Sequence, residues 1–399
     1  MKRKNKEDTK VIIVGAGMSG LTSSTYLARA GYDVLLIERN EQPGGLLNSF
    51  KREGFLFDSG ARAILNSGII RPMLNQLEIN LELIHSPVSV GIKDKIIDIK
   101  SKESLDHYQK LLEYFYPESK EDIAHIISVI REVMDYMEVL YGLDNPSFRD
   151  IKNDRHYVFK ELLPWLPKFL KTIRKINKMT EPVEDFLEKL SSNRSLVDII
   201  DQHFFKNTPM FFAMGYFYVY LDYIYPKGGT MQIPKGLFEK SLELGGKIRF
   251  GTEITEIIPE SHQVVAHDGK SYSYDSLIWC ADLKTLYQRL NLSNLKKKDI
   301  RNIRDFTEVL KTKRGGDSIY SLFLAVDLPL DYFKKIANPH VFYTPSKTGL
   351  GDLHRSDVED IIVNFETKSR QDILQWLDNY CKRNTYEISI PALRDASLA

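Results

Sequence analysis

Residues 11–38 read VIIVGAGMSGLTSSTYLARAGYDVLLIE. Four apolar residues, 11–14, run into the turn Gly15-Ala16-Gly17-Met18-Ser19-Gly20. A helix-like run to Ala30 stops at Gly31, and a second apolar run, 34–37, closes on Glu38. Strand, glycine turn, helix, strand and acid together form an arrangement suited to holding a dinucleotide, and each part has a physical task. Gly15 permits the tight turn out of the strand. Gly17 lets the backbone approach the pyrophosphate, and Gly20 lets the helix pack closely on the sheet. Ala16, Met18 and Ser19 complete the loop, and the helix start presents free N–H groups and a positive dipole to phosphate. Glu38, with Arg39 beside it, stands about 20 residues beyond the glycines, where an acid accepts ribose hydroxyls.

The chain has 399 residues, which exceeds a typical single domain and predicts two domains or one large two-lobed unit. Its 43% apolar and 27% charged residues are those of an ordinary globular protein, and a net charge of +1 argues against a general nucleic-acid binder. Cys280 and Cys381 lie far apart in no metal-like spacing, so neither a disulfide scaffold nor a structural zinc site is expected. His340 and His354 have no acid or second histidine at ligand spacing, and no metal site is expected there. The basic residues 1–10 precede an apolar run too short for a signal peptide, which makes the cytoplasm the expected compartment. No apolar stretch reaches the length of a spanning helix. The nearest, 209–225, carries Asp222.

After Glu38 the chain reads RNEQPGGLL, and Gly44 and Gly45 read either as a second flexible segment near the pyrophosphate or as a plain surface turn. Residues 55–62, FLFDSGAR, form a short strand running into Asp, Ser and Gly. The succession GAGMSGL, VLLIERNEQPGGLL and GFLFDSGAR resembles the flavin-binding N-terminus shared by phytoene desaturases, carotenoid isomerases, retinol saturases and flavin amine oxidases. The resemblance implies an α/β fold: a Rossmann-like FAD-binding domain of the GR2 type with an inserted α+β substrate domain. It implies FAD as cofactor. Gly15, Gly17, Gly20 and Glu38 would hold its adenine half. Gly44, Gly45 and Gly60 would approach the pyrophosphate and ribityl chain, with Leu46, Ala61 and Arg62 adjacent. Flavin amine oxidases usually carry arginine after the glycine pair, and Leu46 weighs against that branch. A nicotinamide dehydrogenase would explain the first glycines but neither the second pair nor the DSGAR turn.

From 101 to 222 apolar residues recur at helix spacing, as in Ile126, Ile127, Ile130, Val133 and Met134. The segment 159–171 mixes apolar residues with lysines, and its two prolines are expected to break it. Such a segment can lie in a membrane interface or form a cap-domain helix with a solvated charged face, the commoner case. Peripheral membrane contact is therefore an open expectation. Residues 210–221, MFFAMGYFYVYL, form a dense aromatic and methionine cluster that reads either as core or as the wall of an apolar ligand tunnel. The resemblance favours a cavity that is also core.

Residues 225–258 run YPKGG, a helix to 244, GGKI, and a strand from 253. They resemble the phytoene desaturase and carotenoid isomerase branch, which implies that Ile254 contacts the adenine ring. His267-Asp268-Gly269 reads as a hairpin turn. The buried strand 274–280 leads to Ala281, which the resemblance places near the flavin, and Cys280 reads as a packed thiol. Residues 286–313 read as helix, 318–326 and 340–343 as strands of a substrate-domain sheet, and 349–352 as a loop. The end, 384–399, resembles a segment that is internal in that branch, so the chain is expected to be a C-terminally shortened member.

The expected organisation is a cofactor domain in two parts, 1–100 and 225–285, a helical substrate region at 101–224, and substrate-domain sheet and helices at 286–399. The expected function is an FAD-dependent desaturase, saturase or isomerase acting on a long apolar polyene or isoprenoid-like small molecule. A flavin amine oxidase and an inactive fragment are the alternatives. No catalytic side chain is identified, and oligomeric state is open.

Overall fold

The computed structural model describes residues 5–202, 204–205, 207–313, 319–350 and 355–398. It divides into two compact units. One comprises 1–62, 74–82 and 226–316, the other 63–73, 83–225 and 317–399.

In the first unit, β1 (Lys10–Val14) pairs in parallel with β2 (Asp33–Ile37) on one side and with the strand Ser276–Trp279 on the other. The strand Lys247–Arg249 adds beyond β2. Numbered along the chain, these four strands run 3-2-1-4, the order of a mononucleotide-binding half. Val11, Ile12, Ile13 and Val14 are all buried, as a parallel strand covered on both faces requires. Helix α1 (Met18–Arg29) packs against the helix Gln232–Glu243, where the hydroxyls of Ser24 and Ser241 lie 2.7 Å apart and Thr25 Oγ1 donates to the Leu237 carbonyl at 3.0 Å. An antiparallel three-stranded sheet, Ile254–Ile258, Gln263–Ala266 and Ser271–Ser273, contains the expected hairpin, with Gly269 at φ +79°.

In the second unit, a four-stranded sheet runs Tyr386–Ser389, His340–Thr344, Val88–Ile92, Lys95–Ile99. Its core is dominated by the helix Lys120–Tyr141. There Ile123, Ile126, Ile127, Ile130, Val133, Met134 and Met137 recur every three or four residues and are all buried. Asn193 caps the helix Arg194–Asp201, its Oδ1 accepting from Leu196 N at 3.2 Å. Arg194 holds Glu184 at 2.9 Å and Asp198 at 3.0 Å.

Four expectations change. Residues 63–73 and 83–100 lie in the second unit, the latter because Val88–Ile92 is bonded to both His340–Thr344 and Lys95–Ile99. Residues 286–313 lie in the first, held where Asn291 N donates to the Ile257 carbonyl at 2.8 Å. Of the strand expected at 318–326, residues 319–326 are described and form none. Among the described residues no strand offers them a ladder, and Tyr320 is 91% exposed. The two prolines do not break the helix. A π-turn, Tyr157–Leu162, runs into the helix Leu163–Ile176. Pro164 stands where the π-turn passes into the helix, and Pro167 inside it forfeits the bond to the carbonyl of Leu163, yet the helix continues through both. Of the loop expected at 349–352, residues 351–352 lie outside the described residues, as does His354.

Because Ile126 is fully buried and Leu163 is half exposed, Ile126→Ala is expected to cost about 2–4 kcal/mol in urea unfolding followed by far-UV circular dichroism. Leu163→Ala should stay within about 0.5 kcal/mol of the parent. Equal losses would mean that the helix Leu163–Ile176 is packed on both faces.

Candidate functional site

The glycines of the first unit sort into those that the fold needs and one that it does not. A Cβ on Gly20 would stand 1.8 Å from the Gly15 carbonyl oxygen, so only glycine lets α1 begin this close to the turn. Gly15 itself sits at φ +101°, with the Cys280 carbonyl 2.8 Å from where its Cβ would be. Gly60, at φ +83°, would meet the Leu46 carbonyl at 1.9 Å. Gly17 differs. Its φ of −74° is open to any residue, and a Cβ there would find nothing within 4 Å. The fold leaves that space empty beside a helix start that no side chain caps and whose first turn holds no acid.

Glu38 lies at the same loop and is buried. Its backbone is fixed by Glu38 N donating to the Arg249 carbonyl and by Thr252 N donating to the Glu38 carbonyl. Its carboxylate accepts from Ala16 N at 2.6 Å and from Asn40 N at 2.9 Å, one bond to each oxygen. A carboxylate has about four acceptor positions, so each oxygen keeps one for a sugar hydroxyl. The glycine pair joins this group directly. Gly44 N donates to the Ala16 carbonyl at 2.8 Å, Gly17 and Gly44 form an isolated parallel bridge, and Gly45 lies against Gly17. Beside it Leu46 is 89% exposed, a large apolar side chain left uncovered at the mouth of the loop. Ser19 and Arg39 are exposed and Met18 is half-buried around the same turn. The open step at Gly17, the uncapped helix start and the buried acid fit the diphosphate and ribose of a dinucleotide.

Other expected members lie less directly. Ala281 is exposed, with its N 3.4 Å from the Cβ position of Gly15. Ala61 is exposed and Arg62 half-buried after Gly60. Ile254 is buried, packed with Ile12, Val14 and Ile37, and its carbonyl already accepts from Arg289 Nη1. The same guanidinium hydrogen-bonds Glu253 and holds its carboxyl below the usual range. Ile254 therefore serves the core in this structure, with its carbonyl turned to Arg289. Burial pushes the Cys280 thiol up, as a packed thiol requires.

The sequence reading passed over Asp58. It is buried, and its Oδ1 accepts from Ser49 Oγ at 2.7 Å, Thr230 N at 2.9 Å and Thr230 Oγ1 at 3.0 Å. This fastens the hairpin Asn48–Arg52/Phe55–Ser59 to the turn after Gly229, and Met231 in turn abuts Gly44. The available signal was an acid ending an apolar strand and a threonine following a glycine pair.

The second unit holds a narrow pocket lined by Tyr108, Ile130, Met214, Tyr216, Phe217, Tyr220 and Phe342, among others, with Thr344 and Thr385 as its polar end. Among the described residues no charged side chain lines it. Ala213, Met214, Phe217 and Tyr220 are at the same time core residues, so the aromatic cluster serves as both core and wall. Burial raises the hydroxyls of Tyr108 and Tyr220 far above their ordinary value, which keeps them neutral. His340 is buried near this wall, with Nε2 3.2 Å from Glu387 Oε1 and Nδ1 3.1 Å from Arg394 Nη2. The pairing of Tyr386–Ser389 with His340–Thr344 brings that acid in from 47 positions along the chain, a partner invisible to spacing. Among the described residues no group of three His, Cys, Asp or Glu could hold a metal ion.

The family described as flavin containing amine oxidoreductase matches residues 18–312. The chain is 24% identical over 279 residues to prolycopene isomerase 1, chloroplastic, of an Oncidium hybrid cultivar, covering 65% of this chain and 45% of the isomerase. It is 22% identical over 405 residues to the 4,4'-diapophytoene desaturase (4,4'-diaponeurosporene-forming) of Staphylococcus aureus, covering 98% of this chain and 73% of the desaturase. The solved structure of an oxidoreductase from Methanosarcina mazei aligns with a TM-score of 0.48 at 19% identity, over 75% of this chain and 65% of that one.

Gly17→Ala is expected to fold with stability within about 0.5 kcal/mol of the parent but to bind FAD about tenfold more weakly or worse, about 1.4 kcal/mol. Gly20→Ala should lose about 2 kcal/mol or more of stability through the backbone clash. Visible absorbance on titration with FAD and thermal melts of both variants check this. Unchanged flavin affinity in Gly17→Ala would remove the diphosphate from this loop.

Proposed function

Since the chain belongs to the flavin-containing amine oxidoreductase family, and is by family an FAD-dependent oxidoreductase, we propose that it acts on a long, uncharged, polyene or isoprenoid-like substrate as a desaturase, saturase or isomerase. The observation that carries this reading is the pocket of the second unit, walled by aromatic and aliphatic side chains and, among the described residues, by no charged one. A pocket of that composition orients a ligand by shape and apolar contact. An amine substrate would bring a cation to a wall whose described lining residues include no acid. The curated relatives that support the substrate class are an isomerase and a desaturase named for polyenes.

Bound FAD would supply the two-electron exchange. The chain's own part is to bind, orient and exclude water. The N–H groups at the start of α1 and the open step at Gly17 would seat the diphosphate, and Glu38 would take the sugar hydroxyls with the acceptor positions left by Ala16 and Asn40. Leu46 would be covered by the cofactor that it flanks. The Tyr216 hydroxyl, on the pocket wall, is 2.9 Å from that of Tyr223, so this polar atom is already hydrogen-bonded and carries no charge. An apolar polyene partitions into bilayers, so the protein would visit a membrane surface to collect it.

The test is reconstitution with FAD, bleaching of the visible flavin bands by an anaerobic reductant, and chromatography of a supplied polyene after incubation. A bleachable flavin and a changed polyene are expected. Ala213→Leu, which fills the pocket wall, should keep the flavin spectrum and lower polyene turnover about tenfold or more. A chain that binds no FAD, or that converts amines and leaves polyenes untouched, overturns the proposal.

A further inference from the structure

The helix Leu163–Ile176 and the π-turn Tyr157–Leu162 before it belong wholly to the second unit. They are held on one side only. Thr172 and Ile176 are buried, Trp165 Nε1 donates to the Val139 carbonyl at 2.6 Å, and Lys175 Nζ donates to the Tyr136 hydroxyl at 2.6 Å. At 100° per residue Leu163 faces directly away from Thr172, with Leu166 and Leu170 on the same side. There Phe159 is 63%, Leu163 49%, Leu166 42% and Leu170 51% exposed, four large apolar side chains in a row on one convex ridge.

The charge around that ridge identifies what covers it. Residues 155–178 contain seven Lys and Arg and a single Glu, in a chain whose totals are 55 and 54. Lys160, Lys168, Lys171, Arg174 and Lys178 are exposed, and among the described residues they form no ion pair. An apolar ridge flanked by unpaired basic side chains matches the acyl boundary and headgroups of an anionic bilayer, where long lysine stems reach from one to the other. A protein partner fits less well, since lysine is depleted at the cores of protein interfaces.

We infer that this face docks the protein on anionic lipid surfaces, with Phe159, Leu163, Leu166 and Leu170 inserted and the surrounding Lys and Arg on the phosphates. The proposed apolar substrate gives such docking its purpose, but the docking itself rests on the helix alone.

Sedimentation of the full chain with phosphatidylcholine vesicles, with and without phosphatidylglycerol, tests it without any turnover. Pelleting is expected with the anionic vesicles, weakened by high salt. Lys168→Gln/Lys171→Gln should lower the partition coefficient about 30-fold, and Leu166→Glu/Leu170→Glu about tenfold or more. Both variants should melt at the parent temperature, because all four side chains are exposed. Absence of pelleting with anionic vesicles overturns the inference, as does pelleting that neither variant weakens. So does a parent dimer in sedimentation velocity that the leucine variant dissociates, since a second copy would then cover the ridge. A chain that pellets but leaves polyenes unchanged sinks only the substrate reading, and one that converts polyenes without pelleting sinks only this one.

Discussion

Two backbones touch where α1 leaves its turn. The Gly15 carbonyl occupies the place where a side chain on Gly20 would begin, and Gly15 in turn rests on the Cys280 carbonyl at the end of the neighbouring strand. Neither contact tolerates a Cβ. Together they fix the first turn of α1 relative to the ends of β1 and Ser276–Trp279, so that its free N–H groups face outward over Gly17. Glu38 completes the arrangement from β2. Its carboxylate bonds to the loop amide of Ala16, and this holds the turn in shape without a ligand. The proposed seating of a diphosphate on this unit would depend on this packing, since N–H groups bind a phosphate only if they are already aimed at it.

The second unit follows a different logic. Many of its aromatic side chains are gathered between the helices Met210–Met214 and Tyr216–Leu221 and the sheet strand His340–Thr344. Edge-to-face contacts, such as Tyr216 with Tyr220 at 5.1 Å, leave a pocket between rings where aliphatic side chains would close up. The floor of this region is held by one buried guanidinium. Arg394 donates from Nε to Ser86 Oγ at 2.7 Å and from Nη1 to Ser389 Oγ at 2.9 Å. It also stacks on Tyr225 at 4.7 Å. These bonds offset part of the cost of taking the guanidinium out of water, and they tie the last strand to a segment some 300 residues earlier.

Local pattern carried a good deal. The run VIIV before GAGMSG could only be a buried strand entering a tight turn, and α1, β2, the helix near 232–243 and the turn at Gly269 follow from spacing and glycine placement. So does the apolar stripe of Lys120–Tyr141, because a 3.6-residue period is a property of the chain itself. Gly15, Gly17, Gly20, Glu38 and the glycine pair are brought together around one loop for the same reason: they sit at the ends of elements whose pairing the pattern already implies.

Other features were decided in three dimensions. Spacing names Gly20 for packing and Gly17 for openness, but only the fold supplies the Gly15 carbonyl that excludes a Cβ at the one and the clear space beside the other. Spacing cannot bring Glu387 to His340 or Thr230 to Asp58, because those pairs meet through sheet register and a chain reversal. The apolar stretch at 319–326 reads locally as a strand and forms none, because a strand exists only where another offers it hydrogen bonds. Ile254 went to the core and its carbonyl to Arg289 on the same principle. The sequence determined the elements with a clear period or glycine signal and which residues stand at the loop suited to a dinucleotide. Tertiary packing decided what each of them touches, because burial and hydrogen-bond partners belong to the assembled fold and not to the chain.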